Sequence, residues 1–198
     1  MKVRIKLIEE MLGTASANPE LHREFIASKS ADADKLKEEM ESLPAEDLIE
    51  KSLTVFHRDT TGMPIIYDYQ IKGFIKEATG ALIEIADKEI KVGKTKLSKF
   101  THKRIVDNYI FVAPRIIRLA PVSGVCTRPL RAETMRGERV ALASSETVPA
   151  GTEFEIEIQT LSDTLVDLVK KCLDYGALKG IGQWRNSGKG RFVWKQVL

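Results

Sequence analysis

Cysteine is scarce in this sequence: Cys126 and Cys172 are the only two among 198 residues. Two distant cysteines make neither a metal-ligand motif nor a disulfide framework. Cys172 lies among Leu168, Val169 and Leu173 and reads as a core position, since free cysteine packs as a small hydrophobe. Long apolar runs are missing as well. No stretch of eighteen apolar residues occurs, so no membrane span is expected. The first residues, MKVRIKLIEEML, alternate and carry charge, without the apolar stretch and cleavage site of a secretory signal. The expectation is a cytoplasmic protein with no membrane contact. Internal repeats, low-complexity segments and clusters with metal-ligand spacing are likewise lacking, so neither a metal nor another cofactor is expected.

The composition that remains is that of a globular domain, 43% hydrophobic and 30% charged, with a net charge of +3. Its charge is unevenly spread. Residues 1–50 carry a balance of −5, whereas residues 99–139 and residues 170–198 each carry +6. Such asymmetry points to a polyanionic partner met by the later part of the chain. The alternative is solvated charge on strands and loops.

Hydrophobic periodicity outlines the elements. Val3, Ile5 and Leu7 alternate with Lys2, Arg4 and Lys6, which predicts a half-buried strand. Residues from Gly13 to about Lys29 read as a loop, Ser30 to Met40 as a short acidic helix, and a second short helix is expected after Pro44. Val55 to Arg58 reads as a short strand, and Asp59-Thr60-Thr61-Gly62 is turn chemistry. After Asp68, a candidate N-cap, the residues Ile71, Phe74, Ile75, Ala78 and Leu82 form one helical stripe. Gly73 inside that helix suggests close approach of something to the backbone. Lys88 to Lys99 reads as a connector and Arg104 to Ile117 as strand. Val125 to Leu130 and Arg139 to Ser144 are expected to pair as a hairpin around Met135-Arg136-Gly137. Phe154, Ile156 and Ile158 alternate in a strand. Ser162 or Asp163 caps a helix with Leu165, Val166, Val169, Cys172 and Leu173 on its apolar face, and Gly176 is a helix stop. Phe192 and Trp194 belong to a last strand.

Setting aside insertions at about 10–66 and 120–150, the order is strand, helix, strand, strand, helix, strand. This is the split βαβ order of an α+β, ferredoxin-like (RRM-like) domain. The expected architecture is a single domain over 1–198, with a loop and helical insertion at about 10–66 and a hairpin insertion at about 120–150.

The densest motif is GIGQWRNSGKGRF, Gly180 to Phe192. Gly180 and Gly182 form one G-x-G pair, Gly188 and Gly190 another, with five residues between them. Glycines let backbone N–H groups approach a ligand, and successive N–H groups form anion-binding concavities. Lys179, Arg185, Lys189 and Arg191 add positive charge, and Trp184 offers a face for base stacking, worth about 1–3 kcal/mol where it occurs. No G-K-[ST] follows, which excludes a Walker loop. The motif follows a helix and opens a strand, which excludes a dinucleotide fingerprint.

A G-x-G-x5-G-x-G loop between the last helix and last strand of a ferredoxin-like domain resembles the signature of the repeat-associated mysterious proteins (RAMPs) of CRISPR–Cas systems. MPIIYDYQIKGFIKEA (Met63 to Ala78) is similar to the family stretch P-x-I-P-G-S-S-L-K-G-x-L-R. Pro64 stands for the proline and Ile71-Lys72-Gly73 for L-K-G, while Tyr67-Asp68-Tyr69-Gln70 replaces Pro-Gly-Ser-Ser. ETVPAGTEFEIEI (Glu146 to Ile158) is similar to the E-x-V-P-x-G-T-x-F strand of the guide-RNA-binding backbone subunits of class 1 effector complexes. The three segments run in family order across residues 63–192.

The resemblance implies a ferredoxin-like palm with a protruding β-hairpin thumb that holds guide RNA by its phosphates. It implies RNA and other CRISPR effector subunits, or copies of the same chain, as partners. Lys72 and Gly73 would face RNA phosphate, with Gly180, Gly182, Trp184, Arg185, Gly188, Lys189 and Gly190 in the adjoining loop. The thumb would bring Arg128, Arg131, Arg136 and Arg139. Tyr67 and Tyr69 offer rings for stacking on a base.

Catalysis by the chain is the less favoured reading. Aligning Arg58-Asp59 with the family's Arg-Asp puts Leu53 near the position of the aspartate that cuts RNA in some type III backbone subunits, with Asp47 and Glu50 a few residues off. Metal-free RNA cleavage needs a general acid or base beside a cation, and His57 beside Arg58, Asp59, and His102 beside Lys103-Arg104 are the formal candidates. Two alternative functions follow: a RAMP-family RNA endonuclease, or a phage- or prophage-encoded relative acting as a protein-interaction module against CRISPR complexes.

Overall fold

The computed structural model describes residues 1–17, 53–86, 90–92, 95–134 and 137–197; over 130–134 and 137–141 it describes the backbone alone. The expected helices at 30–40 and after Pro44, together with Asp47, Glu50 and Arg136, lie outside the described residues. The fold is mixed α+β with antiparallel and mixed sheets around one main core.

Three helices are present among the described residues: α1 (Asp68–Glu84), α2 (His102–Tyr109) and α3 (Asp163–Lys179). The strands are β1 (Lys2–Leu7), β2 (Met11–Leu12), β3 (Ala15–Ser16), β4 (Leu53–Val55), β5 (His57–Arg58) and β6 (Pro64–Tyr67). They continue with β7 (Lys91–Val92), β8 (Thr95–Lys96), β9 (Ile110–Ala113) and β10 (Ile116–Arg118). The last four are β11 (Gly124–Thr134), β12 (Gly137–Val148), β13 (Glu153–Thr160) and β14 (Phe192–Val197).

The central sheet has the order β14-β1-β13-β9, antiparallel at every step. Alternation along β1 explains its burial. Val3, Ile5 and Leu7 are fully buried, and in register they meet Ile156 and Phe154 on one side and Trp194 and Phe192 on the other. Their partners on the opposite face form ion pairs: Arg4 with Glu155 at 2.5 Å and Lys6 with Glu153 at 3.1 Å. The outer face of the sheet is therefore a ladder of alternating charge.

Helices α1 and α3 cover the inner face. Ile71, Phe74, Ile75 and Ala78 of α1 and Leu165, Leu168, Val169, Cys172 and Leu173 of α3 are buried, at the three- and four-residue spacing that makes one helical stripe. Burial pushes the Cys172 thiol up to about 11, with Thr79 Oγ1 at 3.4 Å. Helix α3 begins after Ser162, as expected, but does not stop at Gly176. It runs on to Lys179 and is capped by Gly180, while Gly176 is the place where the Phe192 ring lies against the helix. Helix α1 starts at Asp68 with Tyr67 as N-cap: Tyr67 N–H donates to Gln70 Oε1 at 2.8 Å.

The segment Arg104 to Ile117, expected to be one strand, is a helix followed by two strands. Ser98 N–H donates to Thr101 Oγ1 at 2.9 Å, and His102 N–H to the Ser98 carbonyl at 3.0 Å, so a closed turn sets the start of α2. His102, Ile105 and Val106 then fall on one helical face and are buried, a spacing that outweighs the β preference of Ile and Val. Pro114, which has no N–H to offer a ladder, separates β9 from β10. Strand β10 leaves the central sheet and pairs with β6 in the order β10-β6-β5. The connector at 88–99 contains the small hairpin β7–β8.

The hairpin expected around residues 135–137 is present and longer than predicted. β11 and β12 pair from Gly124↔Thr147 to Thr134↔Gly137. Its root is sewn to the body: β12 pairs with β2 through Val148↔Met11 and, in parallel, with β4 through Ser145↔Thr54.

Candidate nucleic-acid interface

The glycine loop sits where β1, α1, α3 and the hairpin root meet. Ile181 N–H donates to the Gly190 carbonyl at 2.9 Å, Gly190 N–H to the Glu10 carbonyl at 2.8 Å, and Ile8 N–H to the Arg191 carbonyl at 2.8 Å. The loop is thus closed on itself and pinned to the chain beyond β1. Gly190 has φ 70°, and a Cβ there would collide with the Ile181 carbonyl oxygen, so its glycine serves self-packing. Gly182 likewise has φ 87°, with Leu12 O 2.8 Å from the position of a Cβ. Gly180 packs against the backbone at Lys189–Arg191 in the same way, and Gly188 lies over the Arg191 guanidinium. The E-x-V-P-x-G-T-x-F segment closes the other side: Leu7 N–H donates to the Thr152 carbonyl, and Gly151 N–H to the Leu7 carbonyl. The glycine loop and this segment therefore meet at one end of β1.

A groove of about 360 Å³ runs between this loop and α1, lined among others by His57, Tyr69, Gly73, Glu77, Gly182 and Arg185. Gly73 is exposed, and apart from its chain neighbours and the backbone of its own helix no atom of the described chain lies within 4 Å of where its Cβ would be. The close approach that a helical glycine suggests is thus not made by the chain itself. Tyr69 is half exposed and stacks on Tyr67 at 5.6 Å, whereas Tyr67 is fully buried and has no face for a base. Lys72, expected beside Gly73, points away from the groove. Its ammonium donates to the Asp107 carbonyl at 2.8 Å and lies 5.1 Å from the Phe111 ring centre, and the loss of solvation lowers its pKa.

At the hairpin root, Trp184 occupies the left-handed region at φ 54°, ψ 36°, a conformation costing about 1 kcal/mol or more for a non-glycine residue. Arg128 props it. The guanidinium carbon lies 5.2 Å from the indole centre, Nη1 donates to Ser145 Oγ at 2.9 Å and Nη2 to Gln183 Oε1 at 3.0 Å. Arg128 is 94% buried, its Nε has no hydrogen-bond partner, and no carboxylate among the described residues pairs with it. Trp184 itself is 39% exposed. Gln183, unremarked in the sequence, is the residue that couples this arginine to the loop. Arg131 and Arg139 lie on the far half of the hairpin, where the backbone alone is described, and Arg136 at its tip is outside the described residues.

The loop cations are not bare. Arg185 donates to Glu77 of α1, with Lys179 3.8 Å from the same carboxylate. Lys189 donates to Glu10, whose hydrogen bond raises the lysine pKa. Arg191 Nη2 lies 3.3 Å from Glu9. The +6 of residues 170–198 is thus partly countered in space by Glu9, Glu10 and Glu77, acids from the first half of the chain.

The three residues weighed for catalysis are held apart in structural contacts. Asp59 Oδ1 accepts from Thr61 N–H at 2.8 Å, Thr61 Oγ1 at 2.6 Å and Met63 N–H at 3.0 Å, the turn chemistry expected there. These bonds, led by the Thr61 hydroxyl, lower its pKa from 3.8 to about 2. His57 is buried edge-on to Tyr67 at 5.1 Å and reaches the floor of the groove. His102 packs over Gly80 with Nδ1 3.1 Å from the Ser98 carbonyl, in a different groove shared with Lys76 and Glu84. Among the described residues no group of His, Cys, Asp and Glu is arranged to hold a metal, and no helix is long and apolar enough to cross a membrane.

No family model and no curated protein matches the sequence. Among solved structures, a chain of the type III-B Cmr-β complex bound to cognate target RNA is similar at 10% identity and TM-score 0.48, covering 100% of this chain and 60% of that one. A chain of a type IV-B CRISPR complex is similar at 12% identity and TM-score 0.46, covering 98% and 88%.

Proposed function

We propose that this chain is an RNA-binding subunit of a CRISPR ribonucleoprotein: a ferredoxin-like palm with a β-hairpin thumb that holds guide RNA through phosphate contacts. RNA, and either other effector subunits or further copies of the chain, are its proposed partners. The β14-β1-β13-β9 order, with α1 lying between β1 and β9 in the chain and α3 between β13 and β14, supports the ferredoxin-like reading. The observation that carries the functional reading is the groove lined by Gly73, Gly182 and Arg185, where the I-K-G helix and the glycine loop border one open channel.

RNA is assigned to this groove and not to the sheet face. RRM domains stack bases on sheet aromatics, whereas here that face is occupied by the Arg4–Glu155 and Lys6–Glu153 pairs. Phosphate contacts predominate in the proposed mode, so binding is largely independent of sequence and falls steeply with salt. Trp184, presented by Arg128, adds a stacking surface at the hairpin root.

Filter binding of single-stranded RNA at several salt concentrations tests the proposal. Micromolar or tighter binding is expected, weakened by Arg185→Ala and by Trp184→Ala. Absence of binding at low salt refutes the function. Undiminished binding by the double variant refutes the site.

A further inference from the structure

We infer that the Glu77 carboxylate occupies the phosphate site of the glycine loop, and that a single-stranded nucleic acid binds there by displacing it. The inference rests on the RNA-binding reading above and adds a site occupant and a form of self-regulation to it.

Two cations from different elements converge on one acid. Arg185, in the short helical turn Arg185–Ser187 after Trp184, donates to Glu77. Lys179, in the last turn of α3, lies 3.8 Å from the same carboxylate and is oriented by a 3.0 Å hydrogen bond to Asn186 Oδ1. A carboxylate, like a phosphate, offers acceptor oxygens alone, and a guanidinium recognises both by the same geometry. The pair of cations therefore forms an anion site, filled from within the molecule.

Position gives this occupant a role. Glu77 is four residues beyond Gly73, so both lie on the same side of α1, and both line the groove with Arg185. A strand crossing the open backbone at Gly73 arrives next at Glu77. The Glu77 side chain is 41% exposed and its partners 28% and 29%, so the pair is a surface ion pair and not a buried one. Such pairs are weak enough to be exchanged. An isolated anion gains little by replacing a tethered carboxylate. A strand that also reaches Gly73 and Trp184 gains several contacts for the one it breaks. Glu77 thus biases the groove against single anions and short fragments and in favour of a continuous strand.

The test is fluorescence anisotropy with a labelled single-stranded RNA between about 50 and 200 mM salt, using the full chain as wild type, Glu77→Gln, Arg185→Ala and the double variant. Thermal melting of each variant checks that it is folded. Glu77→Gln is expected to bind about two- to fivefold more tightly, the equivalent of one exposed ion pair. Its plot of log affinity against log salt is expected to steepen by up to about 0.7, one further single-strand phosphate neutralised. In the Arg185→Ala background the gain is expected to shrink or vanish. If wild type binds RNA and Glu77→Gln binds equally or more weakly, the displacement is refuted while the RNA-binding reading stands. A gain that survives undiminished without Arg185 refutes the site and leaves a general charge effect. Should neither wild type nor Glu77→Gln bind, both readings fall.

Discussion

Gly73 lies one turn into α1, exposed, with nothing beyond its chain neighbours and its own helical backbone within 4 Å of where a Cβ would sit among the described residues. For the isolated protein an alanine there should be better than glycine. Helix propensity favours alanine by about 0.8–1 kcal/mol, part of it through the smaller conformational freedom of the unfolded chain. In a chain of 198 residues, 1 kcal/mol moves the melting temperature by about 2–4 °C, so Gly73→Ala is expected to melt about 2–4 °C higher. A ligand backbone lying on the helix at that point meets the new methyl group directly. A weakening of RNA binding by about tenfold, near 1.4 kcal/mol, is the expected cost to function. Stability and affinity are therefore predicted to move in opposite directions, which a general loss of structure cannot imitate. Differential scanning fluorimetry and anisotropy on the same preparations measure both. A variant that melts higher and binds RNA as well as wild type refutes the idea that this glycine is kept open for close approach.

A second helical glycine, Gly176, gives the opposite sign. At Gly176 a Cβ would lie within 2.5 Å of Phe192 Cε1 and Cε2, and that ring is itself buried edge-on to Phe74 at 5.3 Å. Overpacking of about 1–3 kcal/mol or more outweighs the propensity gain, so Gly176→Ala should lower the urea midpoint, and Phe192→Leu in the same chain should recover part of the loss; an unchanged midpoint refutes the packing argument. For Asp59 the folded pKa is lowered to about 2, so its stabilisation is fully present above the ordinary value of 3.8 and lost as pH falls towards 2. The stability difference between wild type and Asp59→Asn should accordingly shrink between about pH 4 and pH 2, and a difference that is flat across that window contradicts the assignment.

Local patterns were legible wherever one short-range signal dominated. Alternation located β1, β13 and β14, helical spacing located α1 and α3, turn chemistry placed the Asp59 turn, and the two strand-like segments Val125–Leu130 and Arg139–Ser144 placed the hairpin. Helix α2 was missed because Ile105, Val106 and Ile110 favour strand, while the turn that starts the helix is a side-chain arrangement of Ser98 and Thr101. Gly176 was misread as a stop because its partner, the Phe192 ring, lies outside the helix. In the site, glycine spacing drew attention to the right loop but not to the reason for its glycines, several of which serve packing against Ile181 and Leu12. Nor did local charge counting reveal that Arg185, Lys189 and Arg191 are met by Glu77, Glu10 and Glu9, since these acids are more than one hundred residues distant. Lys72 fits the motif by sequence, yet its side chain is held by Asp107 and Phe111 on the far side of the groove wall.

The position of β1 bears on how the protein is made. It is an inner strand of the central sheet, yet both its neighbours, β13 and β14, begin more than 140 residues later. During synthesis VRIKL must therefore wait with both of its edges open, and an open edge is a template for pairing with another chain. Lys2, Arg4 and Lys6 recur at every second residue, so two such strands brought together in the wrong molecule set like charges against each other. The chain's own Glu153, Glu155 and Glu157 arrive later with the complementary ladder. Surface charges that add little to the finished fold thus guard its first strand until the last has been made.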